Sequence, residues 1–561
     1  MSVIAEYVTE LAKLNGEAIA TVRGDAPLLA AWQQDGEPIK LVWAHLRATG
    51  ADEPTITELQ RLVENAIPPW WADYEPDEAG QSDAFLDKHG GGWAFVAGLE
   101  RWHGWQGTHW QPDETRCFRL TLGTLLDDVH YEAMGRAREI WRAAEAMIDP
   151  VLGADEAGKK AMQEAKAAMA RAMAWRRTDR RLNAIDNLCR DRRAVHPDDV
   201  NAGNLLNLAN GTLDLDTYTL RPHDPADMLT HCLPYSYDPA ATCPRWLQFL
   251  DEVLVKEDGR KPDGELVALF QEYIGYTLTI ETRYEAMLWL SGKGANGKST
   301  ATKVVNALLG PLALKLDFSA LGRPDASYYL ARLGGARVVF STEAATKTGE
   351  EILKQLVSGE PLAARPIRGE PITIYPVAKV IWAMNDKPDI RDTSDGFWRR
   401  LRLIPFYRQF AEHEKDTQLL DHLLRELPGV LNWALDGLRR LRSNGRFTDA
   451  AAVREAVTEY RTEQNDVALW LNERTTCALA AALRPADART KGREAFHDYL
   501  QWAKEINRQK TLTETAFGKE LKKLAGWEKS GSVVYHFGLL GEPQQAALGV
   551  TDAAMSGNPG L

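Results

Sequence analysis

Eight residues near the middle of the chain have the spacing of a loop that holds a polyphosphate. Gly292-Lys293-Gly294-Ala295-Asn296-Gly297-Lys298-Ser299 fits the pattern G-x-x-x-x-G-K-[ST], and Thr300 follows directly. Glycines let the backbone bend until its N–H groups face phosphate oxygens. The lysine then reaches the β- and γ-phosphates, and the serine hydroxyl ligates Mg²⁺. The spacing predicts a site for a nucleoside triphosphate with Mg²⁺.

The flanking segments have the patterns that such a loop requires. Residues 286–290 form a short apolar run typical of a buried strand, and residues 302–309 carry apolar side chains at helical spacing. A helix that begins at the loop adds partial positive charge beside the phosphates. The alternative, a glycine turn that binds no ligand, explains neither flank.

Two further apolar runs end in polar side chains. Residues 335–343 read as a strand that ends at Glu343, which can deprotonate the attacking water and help to hold Mg²⁺. Many such strands end in two acids, but Thr342 occupies the preceding position, so Glu343 carries this role alone. Residues 377–385 end at Asn385, which can hydrogen-bond the γ-phosphate or the water. In isolation, an asparagine that caps a turn at the end of a strand is the favoured explanation of the second run.

Positive charge follows the glycine loop. Between residues 354 and 408 there are ten Lys or Arg and six Asp or Glu, although the whole chain has a net charge of −12. Arg399 and Arg400 follow the second run, and an arginine delivered in trans stabilises charge on a transferring phosphoryl group. An ordinary surface ion pair is the alternative. Residues 366–374 read as a hairpin with Arg368 at its tip, and Lys354, Arg365 and Arg368 are the candidates for DNA contact.

Bulk properties limit the remaining possibilities. At 561 residues the chain is expected to form three or four domains. It has no run of eighteen apolar residues and no secretory layout at residues 1–18, which predicts a cytoplasmic protein without a membrane span. Its five cysteines are far apart and form no C-x-x-C pair, so neither a disulfide framework nor a zinc site is indicated.

Other residues of possible chemical interest favour structural roles. Asp214 and Asp216 resemble paired metal-binding carboxylates, but they lie on a short hairpin that turns at Asn210-Gly211, and surface turn residues are the preferred interpretation. Asp127, Asp128 and His130 are equally weak as a metal site. Four tryptophans could stack on bases, although packing of a small sheet is preferred: 93, 102, 105 and 110. The seven arginines between residues 176 and 193 form either a solvated helix face or a DNA contact.

Four segments in order resemble the phage/plasmid and poxvirus-type primase-helicases of helicase superfamily 3, which are AAA+ rings. They read GKGANGKST, STEA, LKQLVSGEPLAARPIRGEPITIYPVAKVIWAMNDKP and DGFWRRLRLIPF. The resemblance is close over about 283–410 and looser over most of 90–540. It implies an α/β fold whose AAA+ core has a parallel sheet, with a mixed α+β domain before it and a helical, winged-helix-like region after it. The predicted segments are a helical region at 1–72, the α+β domain at 84–235, a connector at 236–282, the core at 283–410, helices at 411–465, the winged-helix-like domain at 466–540 and a disordered tail at 541–561.

The resemblance implies an ATP-driven homohexameric helicase that moves 3′ to 5′ on single-stranded or forked DNA in a bacterial host cell. Lys298, Ser299 and Glu343 become the hydrolytic centre, Asn385 the sensor and Arg400 the preferred arginine finger. Many members of that family carry an amino-terminal primase domain, and residues 1–90 are too short for one, so we expect helicase activity without primase activity and a separate primase as a partner. An origin-recognition or loading ATPase and a bifunctional primase-helicase stay open as alternatives. A small-molecule kinase explains neither the arginine pair nor the long flanking regions.

Overall fold

The computed structural model describes residues 3–537 except 13–17, 35–36, 38, 67, 150, 152, 343–348, 368, 391–393, 475–488, 507, 509–510, 526 and 531–532. Two compact units divide the chain, Met1–Val200 and Asn201–Leu561. The predicted 84–235 domain therefore spans the boundary between the units. Glu343, Arg368 and the predicted tail at 541–561 lie outside the described residues.

The first unit begins with five helices that enclose their own apolar core. Ile4, Leu29, Val42, Leu46 and Leu59 are almost fully buried in this core. The helices are α1 (Val3–Leu11), α2 (Ala18–Gly24), α3 (Ala26–Gln34), α4 (Lys40–Ala48) and α5 (Glu53–Ala66).

A four-stranded sheet and four longer helices complete the first unit. The strands, in the spatial order β3-β2-β1-β4, are β1 (Trp93–Val96), β2 (Arg101–Trp105), β3 (Trp110–Pro112) and β4 (Ala194–Val195). The helices are α6 (Glu78–His89), α7 (Cys117–Ala146), α8 (Glu156–Ala174) and α9 (Asp179–Arg192). Asp77, Asp155 and Thr178 cap α6, α8 and α9 by accepting a backbone N–H, which satisfies a donor that the first turn leaves free. Short 3₁₀ turns lie at Trp70–Asp73, Gly90–Gly92, Ala97–Leu99 and Pro197–Asp199.

The second unit opens with a small antiparallel sheet and two helices. The strands are β5 (Leu205–Leu208), β6 (Gly211–Asp214) and β7 (Thr219–Arg221). The predicted hairpin turn joins the first two, but its two residues are Ala209 and Asn210, because Gly211 pairs with Leu208 as the first residue of β6. The helices are α10 (Pro244–Val253) and α11 (Gly264–Thr277). Asp263 caps α11 by accepting the N–H groups of Glu265 and Leu266.

A five-stranded parallel sheet forms the centre of the second unit. Its strands are β8 (Met287–Ser291), β9 (Ala313–Lys315), β10 (Val338–Ser341), β13 (Lys379–Met384) and β14 (Leu401–Pro405). Their spatial order is β14-β8-β13-β10-β9, and each neighbouring pair is parallel. Every residue of β10 and β13 is buried, as expected for a parallel sheet that is covered on both faces. Because parallel strands end at one edge, the residues that follow β8 and β13 lie next to each other.

Helices and one antiparallel ribbon surround the parallel sheet. The helices are α12 (Lys298–Leu309), α13 (Ala326–Leu330), α14 (Glu350–Ser358) and α15 (Asp395–Trp398). The ribbon pairs β11 (Leu362–Ala364) with β12 (Ile372–Ile374). The predicted hairpin therefore exists between β10 and β13, but its first strand is 362–364 and not part of 366–374, so its tip spans residues 365–371.

The carboxyl-terminal part of the second unit is mainly helical. It contains α16 (Leu419–Arg425), α17 (Leu427–Asn444), α18 (Ala451–Glu463), α19 (Asp466–Arg474), α20 (Gly492–Glu505) and α21 (Glu514–Leu524). A three-stranded antiparallel sheet in the order β15-β17-β16 joins the last helices, with β15 (Arg489–Lys491), β16 (Trp527–Ser530) and β17 (Val533–Phe537). The chain is thus a mixed α/β protein with a parallel sheet and a helical carboxyl-terminal region.

Two buried cations fix the amino-terminal edge of the parallel sheet. Arg337, before β10, donates to the backbone oxygens of Leu278 and Leu205, and Lys379 donates to Thr279 O. Burial lowers the pKa of Lys379 well below its usual range. Leu278 and Thr279 follow the carboxyl end of α11, where the helix dipole favours positive charge. The two cations therefore tie β10 and β13 to α11 and to the small sheet.

Candidate active site

The glycine loop occupies the predicted position between a buried strand and a helix. It follows β8, and α12 begins at Lys298 itself. Gly297 adopts φ +89°, and a Cβ there would lie 2.5 Å from Val253 Cγ1 of α10. Only glycine fits both the backbone conformation and the close approach of α10. The loop is therefore built by its glycines and by the helix that packs against it.

The ammonium group of Lys298 lies inside the loop. Its side chain is almost fully buried, and burial lowers the pKa of Lys298 to about 8. Lys298 Nζ donates to Gly292 O at 2.6 Å and to Asn296 Oδ1 at 3.0 Å, and Asn385 Oδ1 lies 3.2 Å away. The loop thus surrounds one cation with neutral oxygens, and no carboxylate is among these hydrogen-bond partners.

Asn385 meets the glycine loop, as a sensor must. β13 lies beside β8 with Met384 opposite Ser291, so Asn385 follows its strand at the level where the loop begins. Its hydrogen bond with Lys298 joins two residues that are 87 positions apart in sequence. The alternative of an isolated turn cap does not account for this contact. Because β10 is parallel to β13, Thr342 emerges at the same edge of the sheet, and Glu343 follows it outside the described residues.

The rest of the loop presents polar groups at the surface. Lys293, Gly294, Ala295 and Ser299 are exposed, Thr300 is half-buried and Asn296 is buried. Ala295 has φ +57°, a left-handed conformation that turns successive N–H groups toward one side and favours an anion-binding concavity. Asn296 Nδ2 is buried and has no hydrogen-bond partner among the residues that the structure describes. These groups fit a polyphosphate, and the Ser299 hydroxyl in the first turn of α12 fits a Mg²⁺ ligand.

The segment after β14 donates hydrogen bonds to two carbonyl groups of the glycine loop. Gln409 Nε2 donates to Gly294 O at 3.2 Å, and Phe410 N donates to Ala295 O at 2.8 Å. In a trans peptide the carbonyl and the following N–H point in opposite directions. Holding these two carbonyls on one side therefore directs the N–H groups of Ala295 and Asn296 to the other side. Sequence analysis missed this contact, since no motif marks residues 406–410.

We expect Gln409→Met to weaken nucleotide binding with little change in the turnover of bound nucleotide. Methionine keeps the length of the side chain but removes the donor to Gly294 O. Loss of one hydrogen bond corresponds to about a twofold to tenfold increase in Kd. Fluorescent-nucleotide titration measures Kd, and Gln501→Met on α20 is the control because Gln501 is also an exposed glutamine, whose amide donates to Glu505 and not to the loop. An unchanged Kd would contradict the supporting role of Gln409.

Arg399 and Arg400 lie at the opposite edge of the sheet from the loop of their own protomer. They precede β14, and Leu401 is opposite Met287 at the start of β8. The Arg400 side chain is 11 % exposed and binds Glu285 at 2.6 Å and Ser358 Oγ at 2.9 Å. The Arg399 side chain is 66 % exposed, and its Nη2 lies 3.4 Å from the same carboxylate of Glu285. Neither arginine can reach its own loop across the length of β14, so any phosphate contact must be made in trans.

The candidates for DNA contact differ in their surroundings. Lys354 on α14 pairs with Glu351 at 2.8 Å. Arg365 is exposed at the start of the ribbon tip, and its Nε donates to Gly369 O. Arg368 lies outside the described residues. Two apolar side chains that sequence analysis did not single out are exposed beside them: Ile367 at the tip and Tyr375 after β12.

The other candidate sites have structural roles. Asp214 accepts the N–H groups of Asp216 and Thr217, which lowers the pKa of Asp214. Asp216 pairs with Arg442 at 3.0 Å. The two acids therefore stabilise a turn, as the preferred interpretation predicted. Within the described part of the chain, no group of three or more His, Cys, Asp or Glu side chains is placed to hold a metal ion.

The weaker candidates in the first unit are explained in the same way. Asp127 pairs with Arg177 at 2.8 Å, and His130 Nδ1 contacts Ala172 O. The Trp102 ring stacks on Phe118 with centroids 3.8 Å apart, and Trp110 is 2 % exposed. Packing is thus confirmed for these two tryptophans. The four described cysteines are free: Cys117, Cys189, Cys232 and Cys243. None of the described helices is both long and apolar enough to cross a membrane.

Comparisons with known proteins match two parts of the chain. The family model "D5 N terminal like" matches residues 82–255, and a family of unknown function, DUF5906, matches residues 290–400. Among curated relatives, "Putative helicase L207/L206" of Acanthamoeba polyphaga mimivirus is 28 % identical over 223 residues, which is 38 % of this chain and 23 % of that protein. "Putative helicase 184R" of Invertebrate iridescent virus 6 is 26 % identical over 321 residues, which is 48 % of this chain and 32 % of that protein.

One solved structure spans most of the chain. It is the apo A form of the NrS-1 C-terminal region, with 12 % identity and a TM-score of 0.42, covering 83 % of this chain and 99 % of that one. The chain spans between about a quarter and a third of the curated relatives that it matches. Fold and site together define a mixed α/β protein in which a glycine loop and an asparagine-tipped strand meet at one edge of a parallel sheet. Within that class, residues 82–255 are similar to the "D5 N terminal like" family, and part of the chain is similar to viral proteins named putative helicases.

Proposed function

We propose that this protein is an ATP-dependent replicative DNA helicase of superfamily 3, which acts as a hexameric AAA+ ring and moves 3′ to 5′ on single-stranded DNA in the cytoplasm of its host. One observation carries the proposal. Lys298 and Asn385 meet at one edge of the parallel sheet, while Arg399 and Arg400 lie at the other edge, and this separation supports a role for them in a neighbouring protomer. Helicase-named viral relatives support the replication role.

Within one protomer, the residues around the loop bind and orient ATP. The N–H groups of the loop and the first turn of α12 hold the phosphates, and the Lys298 ammonium leaves its loop oxygens for phosphate oxygens. Asn385 then orients the attacking water or the γ-phosphate, and Glu343 takes the proton of that water. Ser299 and Glu343 would hold Mg²⁺, which would supply positive charge against the phosphates.

Between protomers, an arginine completes the site. Arg399 lies just before β14, and the segment after β14 supports the loop through Gln409. Charge that develops on the γ-phosphoryl group is stabilised by a guanidinium from the next subunit. The exposure of Arg399 makes it the stronger candidate, whereas Arg400 would first have to leave Glu285. A homo-oligomeric ring is the simplest assembly in which every site receives such an arginine.

DNA would contact the ribbon between β10 and β13 in the central channel. Arg365 at its tip can follow the phosphate backbone, as the sequence also predicts for Arg368, and the exposed Tyr375 ring offers a surface on which a base can stack. Lys354 contributes less because Glu351 already neutralises it. In the carboxyl-terminal region, the order α19, β15, α20, α21, β16, β17 supports a winged-helix module.

Strand displacement on forked DNA is the direct test of the function. Duplexes with a single 3′ tail, a single 5′ tail or both tails are incubated with ATP. We expect unwinding only where the 3′ tail is present. ATP-dependent DNA binding without any displacement would favour an origin-loading protein instead. Primer synthesis from ribonucleotides would favour a bifunctional enzyme with an acidic centre if Asp214→Ala abolished it. The turn geometry of Asp214 does not suggest such a centre.

ATP binding should weaken as the pH rises through about 8. The lowered pKa of Lys298 means that the unliganded protein loses the ammonium charge in this range, and phosphates favour the charged form. Binding at pH 8.5 should therefore take up a proton, while binding at pH 6.5 should not. Calorimetry in two buffers with different ionisation enthalpies measures this uptake. Equal proton uptake at both pH values would contradict the buried, deprotonatable state of Lys298.

A further inference from the structure

The segment between Asn385 and Arg399 connects two groups that are proposed to act on different nucleotides. Asn385 contacts the loop of its own protomer, and Arg399 follows α15 at the opposite edge of the sheet. The described residues between them are 386–390 and 394–398. Whatever holds this segment controls the positions of both groups.

The last turns of α18 hold the first part of the segment. The Tyr460 hydroxyl donates to Pro388 O, and Lys387 Nζ lies 2.8 Å from Glu463 Oε2. Tyr460 is fully buried. The Lys387 ammonium also lies 5.1 Å from the centroid of the Tyr460 ring, within range of a cation–π contact. The residues directly after the sensor are thus fixed by hydrogen bonds, charge and an aromatic face.

The same end of α18 holds the rest of the segment. Gln464, the residue after the helix, accepts the N–H of Ile390 at 2.9 Å. Arg461 pairs with Asp395, the first residue of α15, at 2.6 Å. Four contacts from the described part of the segment therefore go to residues 460–464.

Tyr460 also packs against β8, which precedes the glycine loop, and α15, which precedes Arg399. Its ring lies 6.1 Å from Trp289 of β8 and 5.4 Å from Trp398 of α15, measured between centroids. β8 leads into the glycine loop, and Trp398 directly precedes Arg399. One buried side chain of α18 thus contacts the strand before the loop, the helix before the arginine and the segment after the sensor.

The end of α18 is also joined to the carboxyl-terminal helices. Asn465 accepts the N–H groups of Val467 and Ala468 and so caps α19, and its Nδ2 donates to Glu520 of α21 at 3.2 Å. A shift of α19 and α21 therefore acts directly on residues 460–465. Because the buried contacts are closely packed, a displacement of these helices reaches residues 460–465 with little loss of amplitude.

We propose that residues 460–464 form a clamp that holds Asn385 and Arg399 as one rigid unit and links their positions to the carboxyl-terminal helices. The clamp residues are positioning residues, since they touch the segment and not the nucleotide. When Asn385 contacts the γ-phosphate at one site, the clamp moves Arg399, which acts on the nucleotide of the neighbouring protomer. This inference rests on the proposed function, because it assumes that Asn385 and Arg399 act on nucleotide.

Two kinds of variant test the clamp. Tyr460→Phe removes the hydrogen bond to Pro388 O and keeps the ring, and Glu463→Lys places like charges together at Lys387. Each should lower kcat of ATP hydrolysis about fivefold, in the range expected for one lost hydrogen bond, with Kd for ATP unchanged. Combining Glu463→Lys with Lys387→Glu should restore kcat. The matched control reverses the Arg23–Glu58 pair, which joins α2 and α5 at 2.9 Å, and should leave kcat unchanged.

Hydrogen exchange provides a readout that does not depend on hydrolysis. In the nucleotide-free protein, the amide of Ile390 should exchange about fivefold faster in Tyr460→Phe and Glu463→Lys than in the wild type, and at the wild-type rate in the charge reversal. Unchanged exchange and unchanged kcat would overturn the clamp while leaving the proposed function intact. If the wild type hydrolyses no ATP, the proposed function fails, and the exchange of Ile390 alone then decides whether the clamp exists.

Discussion

Lys298→Ala is expected to abolish ATP hydrolysis and DNA unwinding together. The ammonium group is the one cation that the loop encloses, with oxygens of Gly292, Asn296 and Asn385 around it. Removing one preorganised donor from a phosphoryl-transfer site typically costs about 10²- to 10³-fold in rate. Phosphate release in the presence and absence of single-stranded DNA measures the loss.

The control for Lys298 lies on the same helix. Lys303 is an exposed residue of α12, one turn and a half further on, and Lys303→Ala should keep wild-type turnover. Hydrolysis by Lys298→Ala at more than about a tenth of the wild-type rate would contradict the assignment of the loop. Far-ultraviolet circular dichroism of both variants excludes unfolding as the cause.

Arg399→Ala is expected to keep ATP binding and to lose turnover by about 10³-fold, the lower end of the range for arginine fingers. Its guanidinium is 66 % exposed beside Glu285 and is available to a neighbour. The control is Arg454→Ala, since Arg454 is also an exposed arginine with one acidic partner, Asp449 at 2.6 Å. Nucleotide titration and phosphate release are compared for both variants. Wild-type turnover in Arg399→Ala would remove Arg399 from the catalytic machinery.

Arg400→Ala tests whether Arg400, next to Arg399, has a structural role or a catalytic one. Arg400 donates to Ser358 Oγ and Gly396 O as well as pairing with Glu285. Its loss should lower the free energy of unfolding by about 2 kcal/mol, because a mostly buried charge network is broken. Thermal unfolding measures this change. A stable Arg400→Ala variant without turnover would instead make Arg400 the finger, as the family resemblance implied.

Features that depend on local sequence could be predicted. The strand before the glycine loop and the helix after it, the strand that ends at Asn385 and the hairpin turn at Asn210 all follow from short patterns of apolar residues and glycines. The structure contains each of them: β8, α12, β13 and the turn between β5 and β6. The interpretation of Asp214 and Asp216 as turn residues had the same local basis.

Features that depend on tertiary packing could not be predicted. Gln409 contacts Gly294 across 115 positions, and Lys387 contacts Glu463 across 76. No spacing rule relates residues at such separations. The ribbon was placed correctly between β10 and β13, but its first strand was assigned to the wrong residues because Leu362–Ala364 is too short to carry an alternating pattern. The relative exposure of Arg399 and Arg400 likewise depends on Glu285, which lies 114 residues before Arg399.

Shared catalysis between protomers is the central claim, and mixing two inactive variants tests it most directly. Lys298→Ala supplies an intact arginine, and Arg399→Ala supplies an intact loop. Rings that contain both are purified through two different tags, so that co-assembly is assured. In random rings, about a quarter of neighbouring pairs then join an intact loop to an intact arginine. We predict that ATP hydrolysis returns to a corresponding fraction of the wild-type rate. Purified mixed rings that stay as inactive as either variant alone would contradict the claim.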